Sequence, residues 1–242
     1  MIDWKSREIF SSLKVPPDIP IVVRVDGWRF RKVAMELELE KPFDRRLIEA
    51  LANIPVKLVE GGFPILLAYT FSDEISFVLH PPIPWEGRVE KVVSILASYS
   101  SGHLSSTFGR PLSFDGRIIL VRSKEEIIDY LTWRQSEAWR NTINSYALKA
   151  LEEDGYTLKE ASEILKGAKS KELHEIIFNK LGINVAKVPA WQRRGVIVKR
   201  VEVIKEESRA GPVIRRRTKI DWEPPLFSTP EGREYLLDLL ST

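Results

Sequence analysis

Carboxylates at the ends of apolar runs are the residues of this chain best placed to do chemistry. Pro20 leads into Ile21-Val22-Val23-Arg24-Val25, and the run stops at Asp26-Gly27. Two further apolar runs, Pro64 to Tyr69 and Ile75 to Leu79, are joined by Thr70-Phe71-Ser72-Asp73-Glu74. Hard divalent cations take oxygen ligands, so convergent carboxylates with a backbone carbonyl suit a pair of Mg²⁺ ions. Such a pair lowers the pKa of an attacking hydroxyl and neutralises charge on a phosphoryl group in transfer. Asp-Gly and Ser-Asp-Glu are also ordinary turn chemistry. What separates the two readings is whether the strands bring Asp26 and Asp73 together.

The three runs read as short strands, the second and third forming a hairpin. Leu47 to Leu58 reads as a helix interrupted at Pro55, and Gly87 to Phe108 as another. Phe114 to Val121 is a fourth strand, followed by a long helix through Leu151 that opens on the capping box Ser123-Lys124-Glu125-Glu126. Thr157-Leu158-Lys159-Glu160 is a second capping box, and a helix from about Lys171 to Leu181 stops at Gly182. Val196 to Ile204 and Val213 to Ile220, with Ser208-Arg209-Ala210-Gly211-Pro212 between them, form a basic β-hairpin projecting from the body. The order predicts an α+β fold: a split βαβ, ferredoxin-like antiparallel sheet with helices on one face, plus C-terminal helices and the hairpin. Residues 1–152 form the first part and 153–242 the second. The polymerase and nucleotidyl-cyclase palm has this architecture, and pattern alone does not separate it from other ferredoxin-like folds.

Composition narrows the chemistry. The absence of cysteine excludes a thiolate zinc site and a cysteine nucleophile. The three histidines, His80, His103 and His174, are scattered, so a histidine cage is not expected. The formal charge of +3 is a mild bias, but Arg193-Arg194, Lys199-Arg200 and Arg215-Arg216-Arg217 are clustered. Each cluster fits either a nucleic-acid surface or a solvated face. There is no run of about 18 apolar residues and no signal-peptide layout at Met1-Ile2-Asp3-Trp4-Lys5, which predicts a cytoplasmic protein with no membrane partner.

Several segments together resemble one family. Arg24-Val25-Asp26-Gly27-Trp28-Arg29-Phe30 is similar to the Arg-x-Asp-Gly-x-x-Phe signature of the tRNA-histidine guanylyltransferases. Lys41-Pro42-Phe43-Asp44 resembles that family's Lys-Pro-Asn-Asp, and Phe71 to Phe77 its Ser-Asp-Glu-x-Ser-Phe. Phe114-Asp115-Gly116-Arg117 and Tyr130-Leu131-Thr132-Trp133-Arg134-Gln135 resemble Phe-Asp-x-Arg and Tyr-Leu-x-Trp-Arg-Gln, in the family's order. The resemblance implies a palm enzyme that extends RNA 3′-to-5′. ATP or GTP activates a tRNA 5′-monophosphate, and the 3′-hydroxyl of an incoming GTP attacks the activated phosphate.

Carried over, the catalytic residues are Asp26, Asp73 and Glu74. Two Mg²⁺ ions bind Asp26, the carbonyl of Gly27, and Asp73, supported by Glu74. The nucleotide is wrapped by Asp26, Gly27, Trp28, Arg29, Phe30 and Arg31, with Ser72, Asp73, Lys41 and Asp44. Arg88 and Lys91 meet a second triphosphate. Arg134 and Asn141, in the segments that match the family, are expected to contact tRNA, and the basic clusters Arg193-Arg194 and Arg215-Arg216-Arg217 are the further candidates for that surface. Homotetramers, as dimers of dimers, are implied. The family's histidine-specific branch carries His-Ile-Asn-Asn where this chain has Trp139-Arg140-Asn141-Thr142, and Phe43 replaces an asparagine. Both departures point to the guanylyltransferase-like branch, which repairs truncated 5′ ends.

Other residues stay open between roles. Trp133, Trp139 and Tyr146 fit core packing or base stacking, Trp191 a packed anchor or an RNA surface, and His103 a core or surface position. A palm nucleotidyl cyclase, or a non-catalytic RNA-binding module, are the alternative functions.

Overall fold

The structure is a computed structural model that describes the backbone of residues 2–205 and 213–241, and their side chains except at 203–205 and 213–215. The strands are β1 (Ile21–Gly27), β2 (Ile65–Phe71), β3 (Glu74–Leu79), β4 (Phe114–Leu120), β5 (Val196–Lys205) and β6 (Val213–Asp221). The helices are α1 (Phe30–Glu36), α2 (Arg45–Glu60), α3 (Val89–Phe108), α4 (Lys124–Glu153), α5 (Leu158–Leu165), α6 (Ser170–Leu181), α7 (Ala190–Arg194) and α8 (Pro230–Leu239). All strands join one sheet in the order β4-β1-β3-β2-β5-β6, with every pair antiparallel. The first four carry the split βαβ order expected from the sequence. Among the described residues no helix is long and apolar enough to cross a membrane.

Strand alternation divides the core in two. Val23, Val25, Ile75 and Phe77 pack with Leu51, Ile54, Leu96 and Leu104 of α2 and α3. Val22, Val78, Leu67 and Tyr69 pack on the other side with Ile127 and Leu131 of α4 and Leu236 of α8. Helices therefore cover both faces, where one covered face was expected. The physical sign is that every residue of β3 is buried, which a sheet with one wet face does not allow. A third cluster ties the distal half of α4, through Ile143 and Ala147, to Leu173 and Ile177 of α6.

The helix expected to break at Pro55 runs on to Glu60. The Pro55 ring is buried among Leu51, Ile54 and Leu58, so packing outweighs the lost backbone hydrogen bond. The Thr157 capping box and the Gly182 cap form as read, whereas Ser123 caps α4 one way only: it accepts the Glu126 amide, and the Glu126 carboxylate accepts the Arg122 amide instead of that of Ser123. The hairpin does more than project. β5 extends the palm sheet through Leu67↔Lys199 to Thr70↔Val196, and only its later residues pair with β6 alone. The turn Ser208 to Pro212 lies outside the described residues.

Candidate active site

β1 places Arg24 and Asp26 on the α4 side of the sheet, in line with Val22. In register, Asp26 lies opposite Glu74 on β3 and Asp115 on β4. The β2–β3 turn consists of Ser72 and Asp73 alone, between the paired Phe71 and Glu74. Ser72 holds a φ of 52°, a left-handed conformation usually left to glycine in such turns. The turn is pinned at three points. The Gly27 amide donates to the Asp73 carbonyl at 3.0 Å, the Ser72 hydroxyl to Asp73 Oδ1 at 3.0 Å, and the Thr70 hydroxyl to the Glu74 carbonyl at 2.7 Å. Asp73 is thereby fixed beside the end of β1, next to Asp26.

These two carboxylates repel. Burial, then the Asp26 charge, pushes the Asp73 carboxyl up to about 6. Neither forms an ion pair with Lys or Arg among the described residues, whereas Asp44, Glu74 and Asp221 all do. Paired oxygen donors without a protein cation, and without His or Cys nearby, fit a hard divalent ion. No described group of three His, Cys, Asp or Glu side chains could hold an ion by itself. Mg²⁺ needs no such cage, because it binds through one or two carboxylates while substrate phosphates and waters complete its shell.

Glu74 has different work. Arg134 Nε donates to its Oε1 at 2.9 Å and Arg134 Nη2 to its Oε2 at 2.5 Å, with Arg24 Nε at 3.8 Å. Burial raises the Glu74 carboxyl and the Arg134 guanidinium works against that rise. Arg134 corrects the tRNA-contact expectation. It is 7% exposed, spends its fork on Glu74, and lies against the rings of Trp133 (4.6 Å) and Phe71 (5.4 Å). It braces the hairpin that carries Asp73.

A cleft of about 750 Å³ opens beside the carboxylates, between α1, the loop 38–44 and the distal half of α4. Ser72, Asp73, Phe30, Arg31 and Lys41 line it, together with Asn141, Ser145, Lys149 and Glu152 from α4. Lys41 Nζ pairs with Glu152 at 2.8 Å, and Lys149 Nζ donates to the Lys41 carbonyl at 3.0 Å. Asp44 holds this loop. It caps α2 through the Arg46 amide at 2.8 Å and accepts the Glu40 amide at 3.0 Å. Its side-chain bond to Arg46 is the main cause of a carboxyl held down at about 2. Lys149 and Glu152 were missed by sequence reasoning. Their signal is the polar stripe Asn141, Ser145, Lys149, Glu152 at helical spacing.

Other expected residues disperse. Phe30 is buried against Phe114, with ring centroids 5.3 Å apart. Trp28 and Arg29 are stacked at the exposed turn, outside the cleft lining. Arg88 and Lys91 stand at the start of α3 outside the cleft lining, where Arg88 pairs with Glu90. Asn141, expected on tRNA, stands in the cleft. Arg193 donates to the Val188 carbonyl and Arg194 to the Pro224 carbonyl, which ties α7 down instead of presenting both fully to RNA. On β6, Arg216 pairs with Glu202 and Arg217 is exposed, while the Arg215 side chain lies outside the described ones. Trp139 packs in the α4–α6 core, Tyr146 is buried, and Trp191 meets Trp222 edge-on. His103 stacks on Tyr99 along α3. Trp133 is 49% exposed.

Known proteins resemble this chain in sequence and fold. Residues 3–122 match the Thg1 family, described as tRNAHis guanylyltransferase, and residues 125–223 match the Thg1 C-terminal domain. The probable tRNA(His) guanylyltransferase of Drosophila melanogaster is 32% identical over 208 residues, covering 82% of this chain and 73% of that protein. The Schizosaccharomyces pombe tRNA(His) guanylyltransferase is 37% identical over 192 residues, covering 75% and 73%. A bacterial tRNA(His) guanylyltransferase (Thg1)-like protein solved with ATP superposes at a TM-score of 0.79, with 25% identity over 99% of this chain and 97% of that one. The Saccharomyces cerevisiae enzyme shares the fold at a TM-score of 0.69, with 24% identity over 88% and 96%.

Proposed function

The chain belongs to the tRNA(His) guanylyltransferase family, and we propose that its cleft binds the nucleoside triphosphate while Asp26 and Asp73 mark where the phosphoryl group is transferred. It is a nucleotidyltransferase that adds nucleotides 3′-to-5′ at the tRNA 5′ end, with GTP and ATP as nucleotide substrates. The observation that carries the site is the convergence of two carboxylates, with no Lys or Arg ion pair among the described residues, at the edge of a cleft furnished with Arg31, Lys41 and Lys149.

In this reading Asp26, Asp73 and the Gly27 carbonyl hold two Mg²⁺ ions. When bound, the ions acidify the attacking 3′-hydroxyl and offset charge on the phosphoryl group. The residues of the chain do the positioning. Gly27 leaves room for the Phe30 ring, which a Cβ there would meet at 2.2 Å, and its bare backbone suits close approach of phosphate. Lys41, Lys149 and Arg31 hold the triphosphate; Lys41 exchanges Glu152 for phosphate. Asp44 fixes the loop that carries Lys41, and Glu74 with Arg134 fixes Asp73. The 3′-hydroxyl oxygen then bonds to the tRNA 5′ phosphorus, and the activating nucleotide monophosphate, or pyrophosphate from a 5′-triphosphate, leaves.

Substrate choice follows from Trp139, Arg140 and Thr142, which stand where the histidine-specific branch has polar groups for base edges. A site without those groups rejects few sequences, so the chain repairs truncated 5′ ends of several tRNAs by templated addition. The palm of residues 1–152 is extended by β5, and the helices and basic hairpin of residues 153–242 form the appendage that holds tRNA, with Arg216 and Arg217 toward RNA. Neither Arg88 nor Lys91 lines the cleft, which supports a homotetramer in which another copy supplies them. The exposed Ile2, Trp4, Ile9 and Phe10 supply apolar surface for such contacts. The cytoplasmic setting expected from the sequence belongs to the same reading. The test is a panel of 5′-truncated tRNAs with different anticodons, each given Mg²⁺ and all four labelled nucleotides. Incorporation of the complementary nucleotide across anticodons is expected. Guanosine added to tRNA-histidine alone, whatever lies opposite, would restore the histidine-specific reading, and no labelled tRNA would leave a cyclase or a binding module.

A further inference from the structure

The nucleotide cleft accounts for only one side of the carboxylates. On the other side, the α4 face of the paired β1–β4 edge is open: Asp115 and Arg117 are exposed on β4, opposite Asp26 and Arg24. Arg117 pairs with Asp115 at 2.5 Å and also feels the charges of Asp26 and Glu74, so an incoming phosphate would take the place of Asp115 on it. Arg24 reaches Glu74 at 3.8 Å, and its buried Nε has no hydrogen-bond partner. The wall of this open shelf is α4, which presents Trp133.

Trp133 is an unusual exposed aromatic because its position is fixed from beneath. The Arg134 guanidinium lies 4.6 Å from its ring and is locked by two hydrogen bonds to buried Glu74. Tyr130 packs edge-on at 5.9 Å, with its own hydroxyl on Ser76 at 2.8 Å. The indole is thus tied, through Arg134 and Glu74, to the strand position opposite Asp26. An indole held this rigidly loses little freedom when a flat partner stacks on it. Leaving it half in water without a partner forgoes that area.

Resting on the transferase reading above, we propose that Trp133 is the stacking platform for the terminal base pair at the tRNA 5′ end, with Arg117 and Arg24 facing its phosphate. The argument for this occupant is one of position and charge. The nucleotide fills the cleft, so the second substrate must reach the same carboxylates from the open shelf. Its 5′ phosphate is anionic, which suits the two guanidiniums, and its outermost base pair exposes a flat face at the end of the helix. Stacking is tolerant of sequence, as template-directed repair requires. Trp133 here positions RNA and touches no reacting atom.

The test uses the full-length protein and a tRNA carrying 2-aminopurine at its first nucleotide, with binding read by fluorescence and addition by nucleotide incorporation. Trp133→Ala should weaken tRNA binding on the order of 10- to 100-fold, the range for losing one base–aromatic stack. It should raise KM for tRNA while leaving KM for the nucleotide within about twofold. Binding to wild type should quench the 2-aminopurine, Trp133→Phe should keep most of that quenching, and Trp133→Ala should lose it at saturating tRNA. Equal quenching by Trp133→Ala and wild type would overturn the proposal, as would an equal rise in both KM values. If wild type binds tRNA and extends it, such a failure falls on Trp133 alone. If wild type binds no tRNA, the transferase reading fails and takes this one with it.

Discussion

Replacing Arg134 with methionine tests whether the hairpin that carries Asp73 is braced by a buried ion pair. Both partners are nearly inaccessible, and the guanidinium makes two hydrogen bonds to the Glu74 carboxylate, at 2.9 and 2.5 Å. Methionine fills much of the volume but leaves Glu74 buried with only Arg24 at 3.8 Å. Removing one partner of a buried pair costs about 3–5 kcal/mol, because the remaining charge is stranded. Arg24 offsets part of this, and the lost contacts with Phe71 and Trp133 add to it, so we expect about 3–5 kcal/mol overall. For a chain of this size that corresponds to a fall in Tm of roughly 6–20 °C. Glu74→Gln alone should also destabilise, since it strands the arginine. The double variant should be more stable than the sum of the singles by at least about 2 kcal/mol. Urea unfolding of the four proteins measures the coupling, and nucleotide addition below the midpoint should show a reduced kcat in both singles. Additivity within about 0.5 kcal/mol, or Arg134→Met within about 1 kcal/mol of wild type, would refute the brace.

Asp26→Ala and Asp73→Ala should each lower nucleotide addition by at least about a thousandfold while tRNA affinity, measured by filter binding, stays within a few-fold. Gly27→Ala must displace the Phe30 ring from Phe114, so it should cost about 1–3 kcal/mol in unfolding experiments and also weaken nucleotide binding. Asp44→Ala removes the α2 cap and the loop anchor, which should cost about 1–2 kcal/mol and raise KM for the nucleotide with little change in kcat. The carboxyl of Asp44 is held at about 2, below its unfolded value, so its contribution is complete above the ordinary carboxylate range and is lost as pH falls toward 2. Stability of wild type and Asp44→Asn should therefore converge on acidification between about pH 5 and 2, and a constant gap would contradict the pairing with Arg46.

The features legible in the sequence were those set by local pattern. An apolar run ending at Asp26, a short link holding Asp73 and the order of strands allowed the two carboxylates to meet, and left ordinary turn chemistry as the other reading. The two-sided core was also written in the chain. Ile75-Ser76-Phe77-Val78-Leu79 is mostly apolar without alternation, which marks a strand covered on both sides, yet that run alone does not say which helices supply the cover. Long-range pairing was not legible. Glu74 and Arg134 lie 60 residues apart, and nothing in either motif names the other as partner. Nor does composition distinguish an arginine offered to RNA from one that ties a loop. Arg193 and Arg194 look basic in the sequence and are spent largely on the Val188 and Pro224 carbonyls.

That difficulty points to a physical rule for this site. The residues that resemble a family signature fall into two kinds, which residue type does not separate. Asp44 and Glu74 each have an arginine on the carboxylate and hold the frame. Among the described residues Asp26 and Asp73 have no such arginine, and burial with the neighbouring Asp26 charge makes ionisation of Asp73 costly. A carboxylate satisfied by a protein cation gains little from a metal, whereas one kept short of positive charge gains a great deal. The frame residues therefore produce their effect indirectly, by holding two unsatisfied charges at a separation that neither would adopt alone. Mutations of frame and site should differ accordingly: the first lower stability and activity together, the second lower activity alone. Asp73→Asn even removes one of the repelling charges, so it should raise the stability of the metal-free protein while abolishing addition. A metal-free Asp73→Asn protein that melts below wild type would show that the repulsion is not the cost this geometry implies.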